Sequence, residues 1–155
     1  AGVHVVTAGL DNAPVRASRG VVLVADMTLD EALKQEYDMV VLPGGLHGAD
    51  HLDGDPRIRG LLRTMADSGR YTAAICAAPK VLASTGLLEG KKVTSFPGVL
   101  DAFADLDYRS DPVVQDGRLI TSRGPGTAMD FALTLIENLL GMDKRNEVEA
   151  ALQRP

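Results

Sequence analysis

The single cysteine of the chain, Cys76, has the surroundings of a reactive residue. It follows the apolar run 71–75 without any loop residue, and two alanines and Pro79 come after it. A strand that passes so abruptly into a helix forces the residue at the turn into a strained backbone, as in a nucleophile elbow. The helix predicted over 77–85 presents its positive end to the sulfur, which stabilises a thiolate. Outside such a context, a free cysteine is more often a small buried hydrophobe.

The backbone near Cys76 also offers hydrogen-bond donors for a negatively charged oxygen. The N–H of Ala77 points to the place where an oxyanion would form. A second loop, Pro43-Gly44-Gly45, follows the apolar run 38–42, and paired glycines let a backbone approach closely or adopt a positive φ. The Gly45 N–H is therefore a second candidate donor, with a plain strand-to-helix turn as the alternative.

The histidines and acidic residues indicate no metal site. His47 and His51 follow the glycine turn, where either would act as a general base if it reached Cys76; the alternative places both on a surface loop. His4 lies in a predicted strand and is expected to be structural. The aspartates between residues 101 and 111 lack the spacing of a calcium loop, and no cluster of cysteine and histidine suggests zinc. The sequence predicts no metal and no cofactor.

A third loop, Thr121-Ser122-Arg123-Gly124-Pro125-Gly126-Thr127, has an equally unusual composition. Its Gly-Pro-Gly sequence breaks regular structure before a long helix. The loop is expected to border the pocket of Cys76, to form a subunit contact, or to serve only as the entry to the helix. The residues themselves do not choose among these three.

Alternating strands and helices must position these loops. Predicted strands cover residues 3–8, 38–42, 71–75 and 93–96, a ribbon of 14–18 with 21–24, and a hairpin of 113–115 with 118–122. Predicted helices cover 29–36, a segment that starts at Pro56, 77–85, 97–104, and 128–140 with Thr127 as its cap. The alternation predicts an α/β fold with a mostly parallel sheet covered on both faces. Ligands bind beyond the carboxyl ends of such strands.

Length and charge narrow the classes of function. A chain of 155 residues fits one domain, residues 1–155, whose last part, about 142–155, is predicted to be a charged tail. The net charge of −5 and the scattered Lys and Arg residues argue against a nucleic-acid partner. No apolar run is long enough for a membrane span, and the first residues lack a signal-peptide pattern. One cysteine fits a reducing compartment, so a cytoplasmic location is expected.

In these segments the sequence resembles the ThiJ/PfpI superfamily and, within it, the DJ-one branch. The matching segments are Val41-Leu42-Pro43-Gly44-Gly45, Ala74-Ile75-Cys76-Ala77-Ala78-Pro79 and the loop from Thr121 to Thr127. Weaker matches are Val6-Thr7-Ala8-Gly9-Leu10 and Ser18-Arg19. The segments occur in family order and span nearly the whole chain.

The resemblance implies a flavodoxin-like three-layer sandwich that forms a homodimer. It implies that Cys76 is the nucleophile and that the N–H groups of Gly45 and Ala77 hold the oxyanion. The further candidates are Gly44, Pro125 and Asp105 for substrate binding, and Arg19 and Arg123 for a dimer contact or the pocket.

For this branch the resemblance implies a small carbonyl substrate. The implied activity is that of a glyoxalase independent of glutathione, or a deglycase, acting on 2-oxoaldehydes. The alternative is a redox sensor or chaperone without turnover, in which Cys76 oxidises to a sulfinic acid. PfpI-type relatives are described as peptidases, which would need a histidine beside the cysteine.

Two departures from the family pattern bear on catalysis. The family fold has one more strand and helix ahead of the segment that matches residues 2–10, and the loop of that strand carries a glutamate that hydrogen-bonds the cysteine. Neither is found in this sequence, so we expect either a fragment or a sheet that another polypeptide completes. The family also has a histidine near the pocket, whereas residues 104–108 here contain none. This weighs against a peptidase and leaves Asp105 as the candidate at that place.

Overall fold

A computed structural model describes residues 1–154, which contain ten short strands and six helices. The strands are β1 (Ala8–Gly9), β2 (Val15–Arg16), β3 (Val22–Leu23), β4 (Met27–Thr28), β5 (Met39–Leu42), β6 (Tyr71–Ile75), β7 (Lys92–Val93), β8 (Asp107–Tyr108), β9 (Val113–Asp116) and β10 (Leu119–Ser122). The helices are α1 (Leu29–Ala32), α2 (Leu46–Gly54), α3 (Pro56–Asp67), α4 (Pro79–Ser84), α5 (Ala128–Leu140) and α6 (Met142–Ala151).

The largest sheet has the strand order β5-β6-β10-β9. Strands β5, β6 and β10 run parallel, and β9 pairs with β10 as the predicted antiparallel hairpin. Three two-stranded ladders accompany it: β1 with β4 and β7 with β8 are parallel, and β2 with β3 is the predicted antiparallel ribbon. The predicted α/β class with parallel strands is confirmed. The flavodoxin-like layering and the missing first unit stay predictions.

The sheet is buried on both faces. Ala73 and Ala74 are neighbours on β6, so their side chains point to opposite faces, and both are fully buried. Ala74 belongs to a core cluster with Leu42 and Leu62, whereas Ala73 packs with Ile120 and Phe131. A strand with apolar contacts on both sides has little freedom to shift, which makes it a rigid base for the residue that follows it.

Helix α3 shows how sequence patterning builds the first of these clusters. Its buried residues Ile58, Leu62 and Met65 repeat at helical spacing. Pro56 occupies the first turn, where no N–H is needed, and the Asp55 carboxylate caps the helix by accepting from the Arg57 N–H at 2.9 Å. The predicted start of this helix is confirmed.

Replacing Leu62 with alanine is expected to lower the free energy of unfolding by about 2–5 kcal/mol, because the fully buried side chain would leave a cavity. Chemical denaturation measures the change. Leu46→Ala is the control, since Leu46 is 60% exposed and should change stability by less than about 0.5 kcal/mol. Equal losses in both variants would contradict the assigned core.

The stability contributed by Asp55 is expected to depend on pH. The side-chain hydrogen bond from Arg57 comes first among the causes that hold the pKa of Asp55 below 3.8. A carboxyl whose pKa is lower in the folded chain contributes stability above its unfolded pKa and loses it as the pH falls through the folded value. We therefore expect Asp55→Asn to destabilise the chain at neutral pH and to flatten the decline between about pH 5 and pH 2. Arg57→Gln should flatten the fall of stability with pH in the same way. If the free energy of unfolding depended on pH in both variants as it does in the wild type, the Asp55–Arg57 interaction would not be its source.

Two predicted elements are absent from the described residues. Of the predicted strand 3–8, only Ala8 lies in a strand, β1 (Ala8–Gly9), and Val5 is 71% exposed. Apolar alternation alone cannot make a strand where no neighbouring strand accepts its hydrogen bonds. Residues 97–104 form isolated turns rather than the predicted helix, because Gly98 has a φ of 84° and interrupts the helical backbone.

Two other segments are more helical than predicted. Helix α2 occupies 46–54, where the sequence was interpreted as a loop; Gly48 and Gly54 weaken the helical pattern, but Ala49 is fully buried in the core and holds the segment. The predicted charged tail forms α6, which buries none of its own residues. Ion pairs join it to α5, among them Arg145 with Glu137 at 3.5 Å.

Candidate functional site

The three unusual loops follow the carboxyl ends of three parallel strands. The glycine turn follows β5, Cys76 follows β6, and Arg123 follows β10. Because parallel strands end at the same edge of a sheet, the loops meet there. This edge is the candidate active site.

Cys76 has the strained backbone that the sequence predicts. Its φ is 64°, in the left-handed region that non-glycine residues rarely adopt. Two hydrogen bonds from neighbouring strands and loops hold it: the Cys76 N–H donates to the Ser122 carbonyl and the Phe96 N–H donates to the Cys76 carbonyl, both at 2.9 Å. The side chain is half-buried. Such strain persists only where the surroundings enforce it, and it commonly marks a functional residue.

The turn after Cys76 differs from the prediction. Helix α4 begins at Pro79 rather than at Ala77, because the Ala78 N–H donates to the Ile75 carbonyl at 3.1 Å and closes a turn across the elbow. The sulfur therefore lies ahead of a six-residue helix rather than at its first residue. The Ala77 N–H donates no hydrogen bond within residues 1–154.

The glycine turn touches the elbow directly. A Cβ atom on Gly44 would lie 2.6 Å from the Cys76 Cβ and 3.4 Å from its Sγ, so only glycine fits there. Gly45 has a φ of 96°, which also favours glycine. Its carbonyl accepts from the Ala49 N–H at 2.8 Å and starts α2, whereas its own N–H donates to nothing in the part of the chain that the structure describes. Both predicted oxyanion donors are thus unoccupied.

The third loop is tied to the elbow by buried hydroxyl groups. The Ser122 carbonyl already holds Cys76, and the Ser122 hydroxyl lies 2.7 Å from that of Thr127. The Gly124 N–H donates to the Thr127 hydroxyl at 3.1 Å. Thr127 was predicted to cap α5, but its side chain makes no capping hydrogen bond there. It stabilises the loop instead.

Phe96 is the site residue that sequence reasoning missed. Besides its bond to Cys76, its ring lies 3.4 Å from the place where a Gly124 Cβ would be, so it stands between the elbow and the third loop. The ring is 49% exposed, which suits a pocket wall. The sequence placed Phe96 at the end of a strand, and a large aromatic residue there was the available signal.

The other predicted site residues lie on several different elements around the turn that contains Cys76. Pro125 begins a short 3₁₀ turn, Pro125–Thr127, directly after Gly124. Arg123 is half-buried and its N–H donates to the Pro112 carbonyl at 3.2 Å. Asp105 is exposed and has a φ of 63°. Arg19 is exposed between β2 and β3. His47 and His51 are also exposed, and they lie on α2 rather than on a loop. In the described part of the chain, none of these last four residues forms a hydrogen bond with Cys76.

Among residues 1–154, no group of three or more histidine, cysteine or acidic side chains is placed to hold a metal ion. None of the helices described here combines the length and the apolar character that crossing a bilayer requires.

The model of the DJ-1/PfpI family matches residues 1–138. The chain belongs to the DJ-1/PfpI family. Protein DJ-1 homolog B of Arabidopsis thaliana is 45% identical over 150 residues, which are 96% of this chain but 34% of that protein. The glutathione-independent glyoxalase DJR-1.2 of Caenorhabditis elegans is 38% identical over 149 residues, 95% of this chain and 79% of that protein. The chain thus spans about a third of the plant relative.

Solved structures of DJ-1 proteins have the same fold. Drosophila melanogaster DJ-1beta superposes with a TM-score of 0.88 at 42% identity, covering 93% of this chain and 78% of that one. Oxidized Toxoplasma gondii DJ-1 gives a TM-score of 0.89 at 35% identity, covering 95% of this chain and 81% of that one. At these identities, membership in the DJ-1-like branch is confirmed.

Proposed function

We propose that this DJ-1/PfpI chain acts on 2-oxoaldehydes as a glutathione-independent glyoxalase or deglycase with Cys76 as its nucleophile. One observation carries the proposal: Cys76 has a positive φ and packs against Gly44, and the N–H groups of the adjoining residues Gly45 and Ala77 donate no hydrogen bond within residues 1–154. The name of the nematode relative, a glutathione-independent glyoxalase, supports it.

The chemistry begins with a bond between sulfur and the aldehyde carbon. The Cys76 thiolate attacks the aldehyde of methylglyoxal, and the carbonyl electron pair moves to oxygen, where the Gly45 and Ala77 N–H groups hold the charge. Protonation gives a hemithioacetal. Removal of the proton from the former aldehyde carbon and delivery of a proton to the neighbouring carbon give a lactoyl thioester. Water then cleaves the thioester to lactate and the free thiol, so the sum is the addition of one water molecule.

The proton transfer between carbons needs a general acid and base. The family resemblance assigns it to a glutamate that has no counterpart at a matching position in residues 1–155. Since such a group contributes about 10²–10⁴-fold to a rate, we propose that residues 1–155 turn over slowly by themselves.

Lactate formation from methylglyoxal without added glutathione tests this proposal. We expect lactate to accumulate slowly but measurably above a heat-denatured sample of the same chain. An enzyme-coupled lactate assay with a long incubation gives the rate. A rate equal to that of the denatured sample would contradict the enzymatic proposal.

Oxidation of Cys76 is the second candidate function, in a redox sensor or chaperone of the cytoplasm. The half-buried thiol lies near the same two unpaired N–H groups, which would stabilise the oxygens of a sulfinate, and one solved relative is described as oxidized. We expect mild peroxide to add two oxygen atoms to Cys76, as intact mass and peptide mapping would detect. No mass gain while a control thiol peptide oxidises would contradict this function.

We also propose that the chain forms a homodimer and, as a separate point, that a further strand from another segment or chain completes the sheet beside β5. Within residues 1–154, β5 pairs only with β6, and Val41 on β5 is 42% exposed. A free edge with unpaired backbone groups invites a strand from another segment or chain. Arg19, Arg123 and the apolar side of α5 are the candidates for the dimer contact. Light scattering tests both points: a cooperatively folded monomer of 16.4 kDa would contradict them.

A further inference from the structure

Two polar side-chain pairs join helix α2 to helix α4. The Lys80 ammonium binds the Asp50 carboxylate, and the Ser84 hydroxyl donates to the Asp53 carboxylate. Lys80 and Ser84 are four residues apart and share one face of α4, and Asp50 and Asp53 are three residues apart on one face of α2. Both pairs therefore lie along the same contact between the two helices. Lys80 is the more buried partner, with its side chain 18% exposed against 54% for Asp50.

Each of these helices continues directly from one half of the candidate site. Helix α2 starts one residue after Gly45, and α4 starts at Pro79, two residues after Ala77. Both helices are short, nine and six residues, so few residues separate the two side-chain pairs from the two turns. The two turns pack closely, since a Cβ on Gly44 would lie 2.6 Å from the Cys76 Cβ.

We infer that the Asp50–Lys80 and Asp53–Ser84 pairs form a clamp that sets the separation between the N–H groups of Gly45 and Ala77. The inference deepens the proposed function and rests on it for the role of those two groups. The four side chains touch no reacting atom and are positioning residues. An oxyanion needs both donors at about 2.7–3.1 Å, and a misplacement of 1 Å can cost about 10²-fold in rate.

The charge state of the clamp agrees with this role. The hydrogen bond from Lys80 is the largest of the causes that hold the pKa of Asp50 below its ordinary value, and the nearby His47 and His51 add to it. The carboxylate therefore stays ionised at neutral pH. The Asp50 carboxylate is 54% exposed, so water can solvate it when Lys80 is replaced, and the chain should stay folded.

Acylation of Cys76 tests the clamp separately from glyoxalase turnover. With p-nitrophenyl acetate, the thiolate attacks the ester carbon, an oxyanion forms, and its collapse expels p-nitrophenolate and leaves a thioester on the sulfur. With iodoacetamide, the sulfur displaces iodide and no oxyanion forms. The ratio of the two rates, each corrected with Cys76→Ser, therefore reports the oxyanion donors rather than the thiolate or the fold.

We expect Lys80→Met and Asp50→Asn in the full chain to lower this ratio about 10-fold, while iodoacetamide alkylation changes less than about twofold. Ser84→Ala should lower it in the same direction but less. The exchanged pair Asp50→Lys with Lys80→Asp should restore most of the ratio. Lys144→Met is the matched control, because it removes an ion pair of 2.6 Å with Glu147 on α6 and should leave the ratio unchanged.

The outcomes separate this inference from the proposed function. Any of three results would overturn the clamp. The rate ratio could be unchanged in Lys80→Met, it could fall equally in Lys144→Met, or the exchanged pair could fail to restore it. If the wild-type chain forms no lactate but the ratio falls as expected, the glyoxalase proposal fails and the clamp stands. Thermal unfolding of each variant confirms that the measured chains are folded.

Discussion

Replacement of Cys76 with serine is expected to abolish the slow formation of lactate from methylglyoxal and to leave only the rate of the heat-denatured chain. Within residues 1–154, neither His47 nor His51 forms a hydrogen bond with Cys76, and both lie exposed on α2, so a serine hydroxyl here would lack a histidine base. A thiol is partly ionised near neutral pH without help, whereas a hydroxyl is not. The sulfur is therefore the one atom at the elbow that can attack unaided.

The same variant is a clean test because it changes little else. Serine differs from cysteine by one atom, and the positive φ of residue 76 strains both residues equally. The main-chain bonds to Ser122 and Phe96 do not involve the side chain. Thermal unfolding should therefore match that of the wild type. Equal rates of lactate formation in the two proteins would remove Cys76 from the mechanism and with it the proposed enzyme.

Replacement of Gly44 with alanine is expected to damage both the site and the fold. The new Cβ would lie 2.6 Å from the Cys76 Cβ and 3.1 Å from the Ile75 carbonyl oxygen. The neighbouring atoms belong to the end of a buried strand and cannot rotate away, so we expect a loss of about 1–3 kcal/mol in the free energy of unfolding. The displaced turn should also slow acylation of Cys76 by about 10²-fold, since the Gly45 donor moves with it.

Gly48→Ala is the matched control for this variant. Gly48 lies four residues further along, inside α2, and a Cβ there would meet nothing within 4 Å. The same chemical change should therefore raise stability by about 0.5–1 kcal/mol and leave acylation unchanged. Urea denaturation and the p-nitrophenolate burst give the two readouts. If both alanine variants behaved alike, the close contact between the two turns would be wrong.

Several parts of the fold follow from local rules that a sequence displays. The elbow is one, because an apolar strand that runs into small residues and a proline leaves no room for a loop. Helix α3 is another, since Pro56 at its start and an apolar repeat along it are both local signals. The hairpin of β9 and β10 turns at the Asp116-Gly117 pair, as its residues indicate.

Other parts depended on partners distant in the chain. Helix α2 contains two glycines and a weak apolar pattern, and it forms because Ala49 is buried and two of its aspartates bind α4. The predicted first strand failed for the opposite reason, because no strand among residues 1–154 pairs with residues 3–7. The intrinsic helix or strand propensity of such a segment determines its structure only where no tertiary contact overrides it.

The sequence by itself determined that the family is DJ-1/PfpI, and it predicted a strained turn at Cys76 and a glycine turn after residues 38–42, because these depend on residue types at adjacent positions. Only the tertiary structure decided that Gly44 touches the cysteine, that Phe96 stands beside it and that Thr127 stabilises the third loop instead of capping a helix. The Thr127 bond lies within one loop, whereas the Gly44 and Phe96 contacts join the ends of different strands. Their geometry depends on strand order and register, which no short stretch of residues specifies.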